Sequence, residues 1–273
     1  MAHRPKKRYG QNFLRDQSVV DKILAAADIA PRERLLEIGP GLGALTDRLL
    51  ERSAEVTAME VDRDLAAALV ARDDPKLRVV EGDCLDLEWG RLLTGPPYKL
   101  VANLPYNISS QVLFRVLDHR RLFSRLVLMF QKEVGDRLCA APGTSDYGIL
   151  SVFCQLWFDI ERVTVVPPGA FYPPPRVYSV VLRFSPLAAP RVTVDDEAFF
   201  RRVVKGAFAQ RRKTLRNALG GAGFDFATID RALAACGIAA GRRGETLGLA
   251  EFAALANVLR NVPDGTADKE QSS

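Results

Sequence analysis

Short apolar runs alternate with amphipathic stretches along the first two thirds of the chain. The apolar runs have the length and residue types of strands, and helical spacing follows most of them. This alternation predicts a parallel sheet with helices on both of its faces. The predicted strands are Arg34–Ile38, Glu55–Glu60, Leu77–Glu81, Tyr98–Asn103, 126–130, 162–166 and 177–184. The predicted helices are 16–27, 44–51, 63–72, Ser109–Asp118, 131–139 and Ile149–Trp157.

The hydrophobic pattern changes near residue 186, where a linker over 186–194 begins. Only helical spacing follows it, which predicts a small helical domain over 195–262. We therefore expect a basic N-terminal segment over 1–16, an α/β domain over 17–185 and a polar tail over 263–273 without fixed structure. Five prolines lie between the last two predicted strands, within 167–175. Because proline cannot lie in a sheet interior, this run predicts a stiff, extended loop.

The composition narrows the classes of protein to consider. The chain has 273 residues, of which 48% are hydrophobic, so a full core is expected. No apolar stretch has the length of a membrane span, and the basic N-terminus lacks the apolar segment of a signal peptide, so we expect a cytosolic protein. The four cysteines are scattered and the two histidines are His3 and His119. That spacing predicts neither a metal site nor a histidine-based catalytic dyad.

Positive charge is concentrated in the predicted helical domain. The formal net charge is +5, and residues 201–216 contain seven basic residues and no acid. Like charges at this density repel one another unless an anion neutralises them. A solvated helix face is the ordinary alternative, but such a face usually carries both signs of charge. The run therefore favours binding to the phosphates of a nucleic acid.

Polar or glycine-rich features follow four successive strands of the predicted sheet. The first strand runs into Glu37-Ile38-Gly39-Pro40-Gly41-Leu42-Gly43, where glycines let a ligand approach the backbone. This pattern differs from the dinucleotide motif G-x-G-x-x-G, so the turn need not hold a pyrophosphate. Glu60 follows the second strand and can bind ribose hydroxyls, and Asp83 follows the third and can accept from an adenine amine. Taken alone, each acid is better explained as a helix cap. Together the features predict a site for S-adenosylmethionine, which contains ribose and adenine but no phosphate.

The fourth strand ends in Asn103-Leu104-Pro105-Tyr106. An amide oxygen and a backbone carbonyl can accept the two N–H bonds of an adenine amine, and an aromatic ring can stack on the base. An ordinary turn after a strand is the alternative. Because a methyl-donor site is predicted at the neighbouring strand ends, the motif favours methyl transfer to an adenine amine.

Further motifs extend this interpretation over nearly the whole chain. They are Tyr9-Gly10-Gln11-Asn12-Phe13-Leu14, Phe171-Tyr172-Pro173-Pro174-Pro175-Arg176-Val177, Gln210-Arg211-Arg212-Lys213-Thr214-Leu215-Arg216-Asn217 and Arg243-Gly244-Glu245-Thr246-Leu247. With them the chain resembles the ribosomal RNA adenine N6,N6-dimethyltransferase family of the KsgA type. The resemblance implies a Rossmann-like class I S-adenosylmethionine-dependent methyltransferase sheet with a small all-helical C-terminal domain.

The resemblance also implies a substrate and a set of site residues. The implied substrate is 16S rRNA in the small ribosomal subunit or its precursor, dimethylated on two adjacent adenines near the 3′ end by a monomeric enzyme. S-adenosyl-L-homocysteine would be the product of the cofactor. The implied cofactor contacts are Asn12, Leu14, Gly39, Gly41, Glu60, Asp83 and Asn103. The implied catalytic residues are Asn103, Leu104, Pro105, Tyr106 and Phe171, and the implied RNA contacts are Arg211, Arg212, Lys213 and Arg216.

Three alternatives differ from this function. A large-subunit rRNA adenine methylase and a DNA adenine methylase would share the chemistry, but the proline loop and the 210–217 run favour the small-subunit family. A non-catalytic RNA-binding assembly factor would share the fold, and the intact Asn103 motif argues against it. For Phe171, stacking on the flipped base and a hydrophobic plug in the proline loop are both open.

Overall fold

The computed structural model describes residues 5–95 and 97–261. Contacts divide the chain into two compact units, of which the first holds Met1–Gly135 and Phe158–Pro186 and the second holds Asp136–Trp157 and Leu187–Ser273. The predicted tail over 263–273 and the first four residues of the predicted basic segment lie outside the described residues. Residues 136–157, which sequence patterns group with the α/β domain, belong to the second unit. The Phe153 ring packs there against Phe200, with ring centroids 6.4 Å apart.

Within the described residues, every strand lies in the first unit. In chain order the strands are β1 (Phe13–Leu14), β2 (Arg34–Ile38), β3 (Glu55–Glu60), β4 (Leu77–Glu81), β5 (Tyr98–Asn103), β6 (Phe123–Gln131), β7 (Phe158–Val166), β8 (Phe171–Tyr172) and β9 (Ser179–Pro186). Seven of them form one sheet in the order β4-β3-β2-β5-β6-β9-β7. The sheet is mixed, and the prediction of a parallel sheet is wrong for β9, which pairs antiparallel with both of its neighbours. The five strands from β4 to β6 are parallel.

The helices of the described chain lie in both units. The first unit contains α1 (Gln17–Ala27), α2 (Thr46–Leu50), α3 (Arg63–Val70), α4 (Trp89–Leu92), α5 (Ser109–Asp118) and the start of α6 (Lys132–Leu138). The second unit contains α7 (Ile149–Trp157), α8 (Glu197–Ala209), α9 (Leu215–Gly221), α10 (Phe226–Ala235) and α11 (Leu249–Asn261). Residues 5–95 and 97–261 include no helix with the length and apolarity needed to cross a membrane.

Local sequence signals explain where α1 begins and what it buries. The Asp16 carboxylate accepts a hydrogen bond from the backbone N–H of Ser18 at 2.9 Å and caps the helix. Apolar residues recur on one face, and Val20 and Ile23 are buried. The helix ends at Asp28, whose φ of +49° is left-handed.

The proline loop is more structured than its sequence predicts. Its residues Pro168–Ala170 form a 3-10 turn, and the following β8 pairs antiparallel with β1, with Leu14 opposite Phe171. The Arg15 backbone N–H also donates to the Ala170 carbonyl at 2.8 Å. A two-residue strand has no periodicity, so only tertiary pairing identifies it. This pairing fixes the end of the N-terminal segment beside the site described below.

The second unit is held by a core of aromatic and small residues. Phe208 lies between Tyr147 and Phe252, with ring centroids 6.1 and 5.8 Å away. Helices α8 and α9 pack closely because Gly206 has no side chain, and a Cβ there would lie 3.0 Å from that of Ala222.

Candidate active site

A cavity of about 300 Å³ lies in the first unit, where four parallel strands end. Neighbouring strands β4, β3, β2 and β5 contribute their carboxyl ends, the usual ligand-binding edge of such a sheet. The N-terminal segment and the loop after β5 complete the lining. The cavity brings together Asn12, Leu14, Gly39, Gly41, Glu60, Asp83, Asn103, Leu104, Pro105 and Tyr106. Every predicted cofactor or catalytic residue except Phe171 is in this set.

The glycine turn after β2 forms one wall of the cavity. The Gly39 N–H donates to the Met59 carbonyl at 2.9 Å, which ties the turn to β3. Gly41 has a φ of +59°, and a Cβ there would lie 2.9 Å from a ring carbon of Phe13. Glycine is therefore required at this position both by its backbone conformation and by the lack of space.

Glu60 supplies a carboxylate that the backbone holds in place. It is 4% exposed and accepts hydrogen bonds from the N–H groups of Gly41 (3.1 Å) and Asp62 (2.9 Å). Burial raises the pKa of Glu60, and these hydrogen bonds oppose the rise. Its oxygens retain lone pairs that can accept two ligand hydroxyl groups.

Asp83 and two apolar side chains face the cavity beside Glu60. Asp83 lies two residues beyond the end of β4, and its carboxylate accepts from the Leu85 N–H at 2.8 Å. Leu42 and Val61 line the cavity and are 46% and 37% exposed. Exposed apolar side chains in a cleft indicate a surface that a ligand covers. Sequence reasoning missed both, since a single apolar residue after a strand carries no distinctive signal.

Glu37 is a third acid at the cavity, and the sequence assigns it no role of its own. It is fully buried and accepts a hydrogen bond from the Thr46 hydroxyl at 2.7 Å. Burial raises the pKa of Glu37 to about 8. The side chain is therefore mainly neutral at pH 7 and can donate a hydrogen bond as well as accept one.

The loop after β5 presents hydrogen-bond acceptors. The Asn103 side-chain NH₂ donates to the Asn12 carbonyl at 3.0 Å, which leaves the amide oxygen as an acceptor. The Pro105 carbonyl already accepts the Ile108 N–H at 3.2 Å. Within the described chain no group donates to the Leu104 carbonyl. The Asn103 oxygen and the Leu104 carbonyl thus have no donor within the described chain, and the Pro105 carbonyl keeps one lone pair.

The two predicted aromatic residues have different surroundings. Tyr106 lines the cavity, and its hydroxyl shares a hydrogen bond of 2.5 Å with Ser179. Phe171 is not among the residues that line the cavity; its ring is 4% exposed and belongs to the apolar cluster that includes Leu14. The neighbouring Tyr172 is exposed, with the Arg15 guanidinium 4.1 Å from its ring centroid.

The N-terminal segment crosses the cavity and is attached beside β3. The Lys6 ammonium lies 2.6 Å from carboxylate oxygens of Asp62 and Asp64. Gln11 donates to the other Asp62 oxygen at 2.9 Å and accepts from the Lys6 N–H at 2.7 Å. Sequence reasoning missed these contacts, because Asp62 alone has the signature of an ordinary helix cap.

The predicted RNA-binding residues of the second unit fall into two groups. Arg211 bonds to Glu245 at 3.1 Å and to the Ser145 carbonyl at 2.6 Å. Arg216 makes a bidentate pair with Asp230, at 2.6 and 2.8 Å. Arg212 and Lys213 are exposed and make no ion pair within the described residues. Arg212 and Lys213 are therefore the two predicted residues whose charge no carboxylate of the described chain offsets.

Comparisons with known proteins show which family the chain is similar to. A model of the family "Ribosomal RNA adenine dimethylase" matches residues 2–257. The ribosomal RNA small subunit methyltransferase A of Syntrophotalea carbinolica is 66% identical over 260 residues, which cover 95% of this chain and 98% of that protein.

Two solved structures share the fold over most of their length. The crystal structure of a dimethyladenosine transferase from Plasmodium falciparum has a TM-score of 0.72 and 27% identity, covering 89% of this chain and 95% of that one. That of the 23S rRNA methyltransferase ErmE has a TM-score of 0.68 and 26% identity, covering 91% of this chain and 100% of that one. The predicted Rossmann-like methyltransferase fold and the predicted enzyme class are confirmed. Since the family model and the relative both span almost the whole sequence, the chain belongs to the ribosomal RNA adenine dimethylase family.

Proposed function

We propose that this chain transfers methyl groups from S-adenosylmethionine to the N6 amines of two adjacent adenines near the 3′ end of 16S rRNA, twice on each. One observation carries the proposal. The Asn103 amide is oriented with its oxygen as an acceptor, in the same cavity as the carboxylates Glu60 and Asp83. The amine that accepts the methyl group and the nucleoside that donates it would therefore lie in the same cavity.

The chemistry of the cavity fits S-adenosylmethionine. Glu60 makes no ion pair within the described part of the chain, and its two partners are neutral N–H groups, which suits neutral ribose hydroxyls. Leu42 and Val61 offer apolar surface to an adenine ring, and Asp83 offers an acceptor to its amine. When bound, this cofactor supplies an electrophilic methyl group.

Positioning of the acceptor amine explains how the residues would promote transfer. An adenine amine is a poor nucleophile because its lone pair is delocalised into the ring. If the Asn103 oxygen and the Leu104 carbonyl accept its two N–H bonds, the nitrogen becomes pyramidal and its lone pair is directed outward. Tyr106 would stack on the base, and its hydroxyl is already bonded to Ser179. Catalysis would then rest on orientation and electrostatics, with no charged base required.

RNA contacts are proposed for exposed cations of the second unit. In addition to Arg212 and Lys213, we include Arg202 and Lys205. Both line a groove on α8 whose other lining residues include alanine and glycine. Neither makes an ion pair within the described ranges, and the Arg202 guanidinium lies 4.5 Å from the Phe224 ring centroid. Small residues let a phosphate backbone approach, and unpaired cations attract it. Since the proposed substrate is a ribosomal subunit, we expect the enzyme to act in the cytosol, as a monomer.

Substitution of Asn103 tests the catalytic role. We expect Asn103→Ala to lower turnover on small subunits by about 10²-fold or more, because one preorganised hydrogen-bonding group typically contributes that much. Affinity for S-adenosylmethionine, measured by calorimetry, should change only a few-fold, and the thermal unfolding midpoint should confirm folding. Near-normal turnover would exclude the proposed role.

A parallel assay with three substrates tests the substrate. Purified small subunits lacking dimethyladenosine, purified large subunits and duplex DNA are each incubated with the protein and labelled S-adenosylmethionine. Mass spectrometry of digested RNA should find N6,N6-dimethyladenosine in the small subunit only. Transfer to the large subunit would instead support the activity named for ErmE, whose fold is similar.

A further inference from the structure

The N-terminal segment contacts both halves of the cavity. At one end, Lys6 and Gln11 bind the Asp62 carboxylate, at 2.6 and 2.9 Å. At the other end, the Asn12 carbonyl accepts the side-chain NH₂ of Asn103 at 3.0 Å. The segment over 6–12 thus joins the residues proposed to bind the methyl donor to the residue proposed to bind the acceptor amine.

Asp62 is a rigid attachment point on the donor side. Its side chain is fully buried, and one of its oxygens also accepts the Asp64 N–H at 3.2 Å. Its own N–H donates to Glu60 at 2.9 Å. Burial would raise the pKa of Asp62, but the hydrogen bonds from Lys6 and Gln11 lower it. The carboxylate is therefore charged at neutral pH and pairs with the Lys6 ammonium in a partly shielded place.

The acceptor side needs a defined amide orientation. A side-chain amide can turn over, which exchanges its oxygen with its NH₂ group. Only the orientation with the oxygen toward the substrate accepts an N–H bond from an adenine amine. The Asn12 carbonyl stabilises that orientation by taking the NH₂ group. If the segment moved away, the Asn103 NH₂ could face the adenine amine. Both groups are hydrogen-bond donors, so no hydrogen bond would form between them.

We infer that Lys6 and Asp62 are positioning residues that hold the N-terminal segment closed and thereby set the orientation of Asn103. The inference rests on the proposed function, because it assigns Asn103 to the acceptor amine. Residues 8–14 line the cavity, so the closed segment covers the donor site. The same closed segment also orients the acceptor residue Asn103 through the Asn12 carbonyl.

The backbone geometry of the segment supports this coupling. Gly10 has a φ of +61°, and a Cβ there would lie 3.0 Å from the Asn107 side-chain oxygen. The segment therefore approaches the loop after β5 as closely as a glycine allows. A small displacement at Lys6 would be transmitted to Asn12 through this short stretch of chain.

Variants of Lys6 with matched controls test the inference. Lys6→Met keeps an apolar stem and removes the charge, and Lys6→Arg keeps the charge. Lys22→Met makes the same change on α1, away from the cavity, where Lys22 contacts Thr164 at 3.5 Å. Turnover is measured with saturating donor and RNA, together with donor affinity.

We expect Lys6→Met to lower kcat about tenfold, which corresponds to the loss of one hydrogen bond to a charged group. Donor affinity should fall less than kcat, and Lys6→Arg should restore most of the activity. Lys22→Met should remain within about twofold of the unmodified protein. Normal kcat for Lys6→Met would overturn the inference, as would an equal loss for Lys22→Met.

A spectroscopic readout separates this inference from the proposed function. With asparagine-selective ¹⁵N labelling, the Asn103 side-chain NH₂ should be protected from exchange with solvent when S-adenosylhomocysteine is bound. Lys6→Met should abolish that protection and Lys6→Arg should retain it, whatever RNA is methylated. If the protein methylates no rRNA but this pattern appears, the proposed substrate fails and the positioning role stands. Unchanged protection in Lys6→Met contradicts the positioning role.

Discussion

Two glutamates on neighbouring strands show how burial and hydrogen bonding act at the residue scale. Glu60 receives two backbone N–H groups, which stabilise its charged form. Glu37 is bonded to the neutral Thr46 hydroxyl, and burial raises its pKa to about 8. The same residue type is thus a candidate ribose acceptor in one place and a mainly neutral acid in the other.

The raised pKa of Glu37 predicts a pH-dependent stability. The folded protein binds the Glu37 proton more tightly than the unfolded chain does, whose ordinary value is 4.5, so stability falls as pH rises from 4.5 to about 8. Glu37→Gln keeps the shape and removes the titration. Between pH 5 and pH 8 the unfolding free energy of the unmodified protein should fall by roughly 3–4 kcal/mol relative to Glu37→Gln, at about 1.4 kcal/mol per unit. Denaturant titrations without cofactor measure this difference.

Glu88→Gln is the matched control, since Glu88 is exposed on the same unit. It should keep the pH dependence of the unmodified protein. If Glu37→Gln and the unmodified protein show parallel stability profiles, Glu37 is ionised in the fold and our account of its burial is incorrect.

At the scale of elements, the turn between β2 and α2 depends on backbone conformation more than on side chains. Gly39, Gly41 and Gly43 all have positive φ values, of +68°, +59° and +90°. Such a turn brings main-chain atoms directly to the cavity, where a side chain would exclude a ligand. The helix that follows is short, at Thr46–Leu50, so its predicted start at residue 44 was too early.

Gly41→Ala should therefore affect both stability and cofactor binding. The new methyl group would meet the Phe13 ring 2.9 Å away in a left-handed conformation. We expect a loss of about 1–3 kcal/mol of unfolding free energy and weaker binding of S-adenosylmethionine. Gly90→Ala, with no atom within 4 Å of the new Cβ, should be neutral or slightly stabilising. Equal behaviour of the two variants in calorimetry would contradict this account of the turn.

At the scale of the whole molecule, a positive net charge becomes a binding surface only where cations lack internal partners. The formal charge of +5 does not show which arginines pair with carboxylates of the same chain. Arg216 is held by Asp230 and lies 4.6 Å from the Phe226 ring centroid, so it stabilises the second unit. Arg212 and Lys213 are exposed and make no ion pair in the described chain, so they are the cations that we propose for RNA binding.

This division predicts different responses to salt. Replacing Arg212 and Lys213 together with alanine should weaken RNA binding and reduce the slope of log affinity against log salt by about 2. Arg216→Ala should lower the thermal midpoint and leave that slope nearly unchanged. Fluorescence anisotropy with an RNA hairpin at several salt concentrations measures the slopes. An unchanged slope for the double variant would mean that these cations form only a solvated face.

Many elements followed from local pattern because their signals are local. Two strands, Glu55–Glu60 and Tyr98–Asn103, and the helix Ile149–Trp157 have the predicted bounds. Each strand is a short apolar run and the helix has apolar residues at helical spacing, so the signal lies within the element itself. The pairing of β1 with β8 did not follow, since two residues have no period. The reversed direction of β9 did not follow either, because an apolar run has no direction.

The sequence by itself determined the family, the glycine turn and the strand-end residues that line the cavity, because contiguous motifs and strand order suffice for them. Tertiary structure alone decided which individual side chains are buried and which partners they bind. It placed Phe171 in an apolar cluster, joined Asn12 to Asn103, bound Lys6 to Asp62 and separated paired from unpaired arginines. Those outcomes depend on contacts between residues far apart in the chain, whose distances and burial no local pattern encodes.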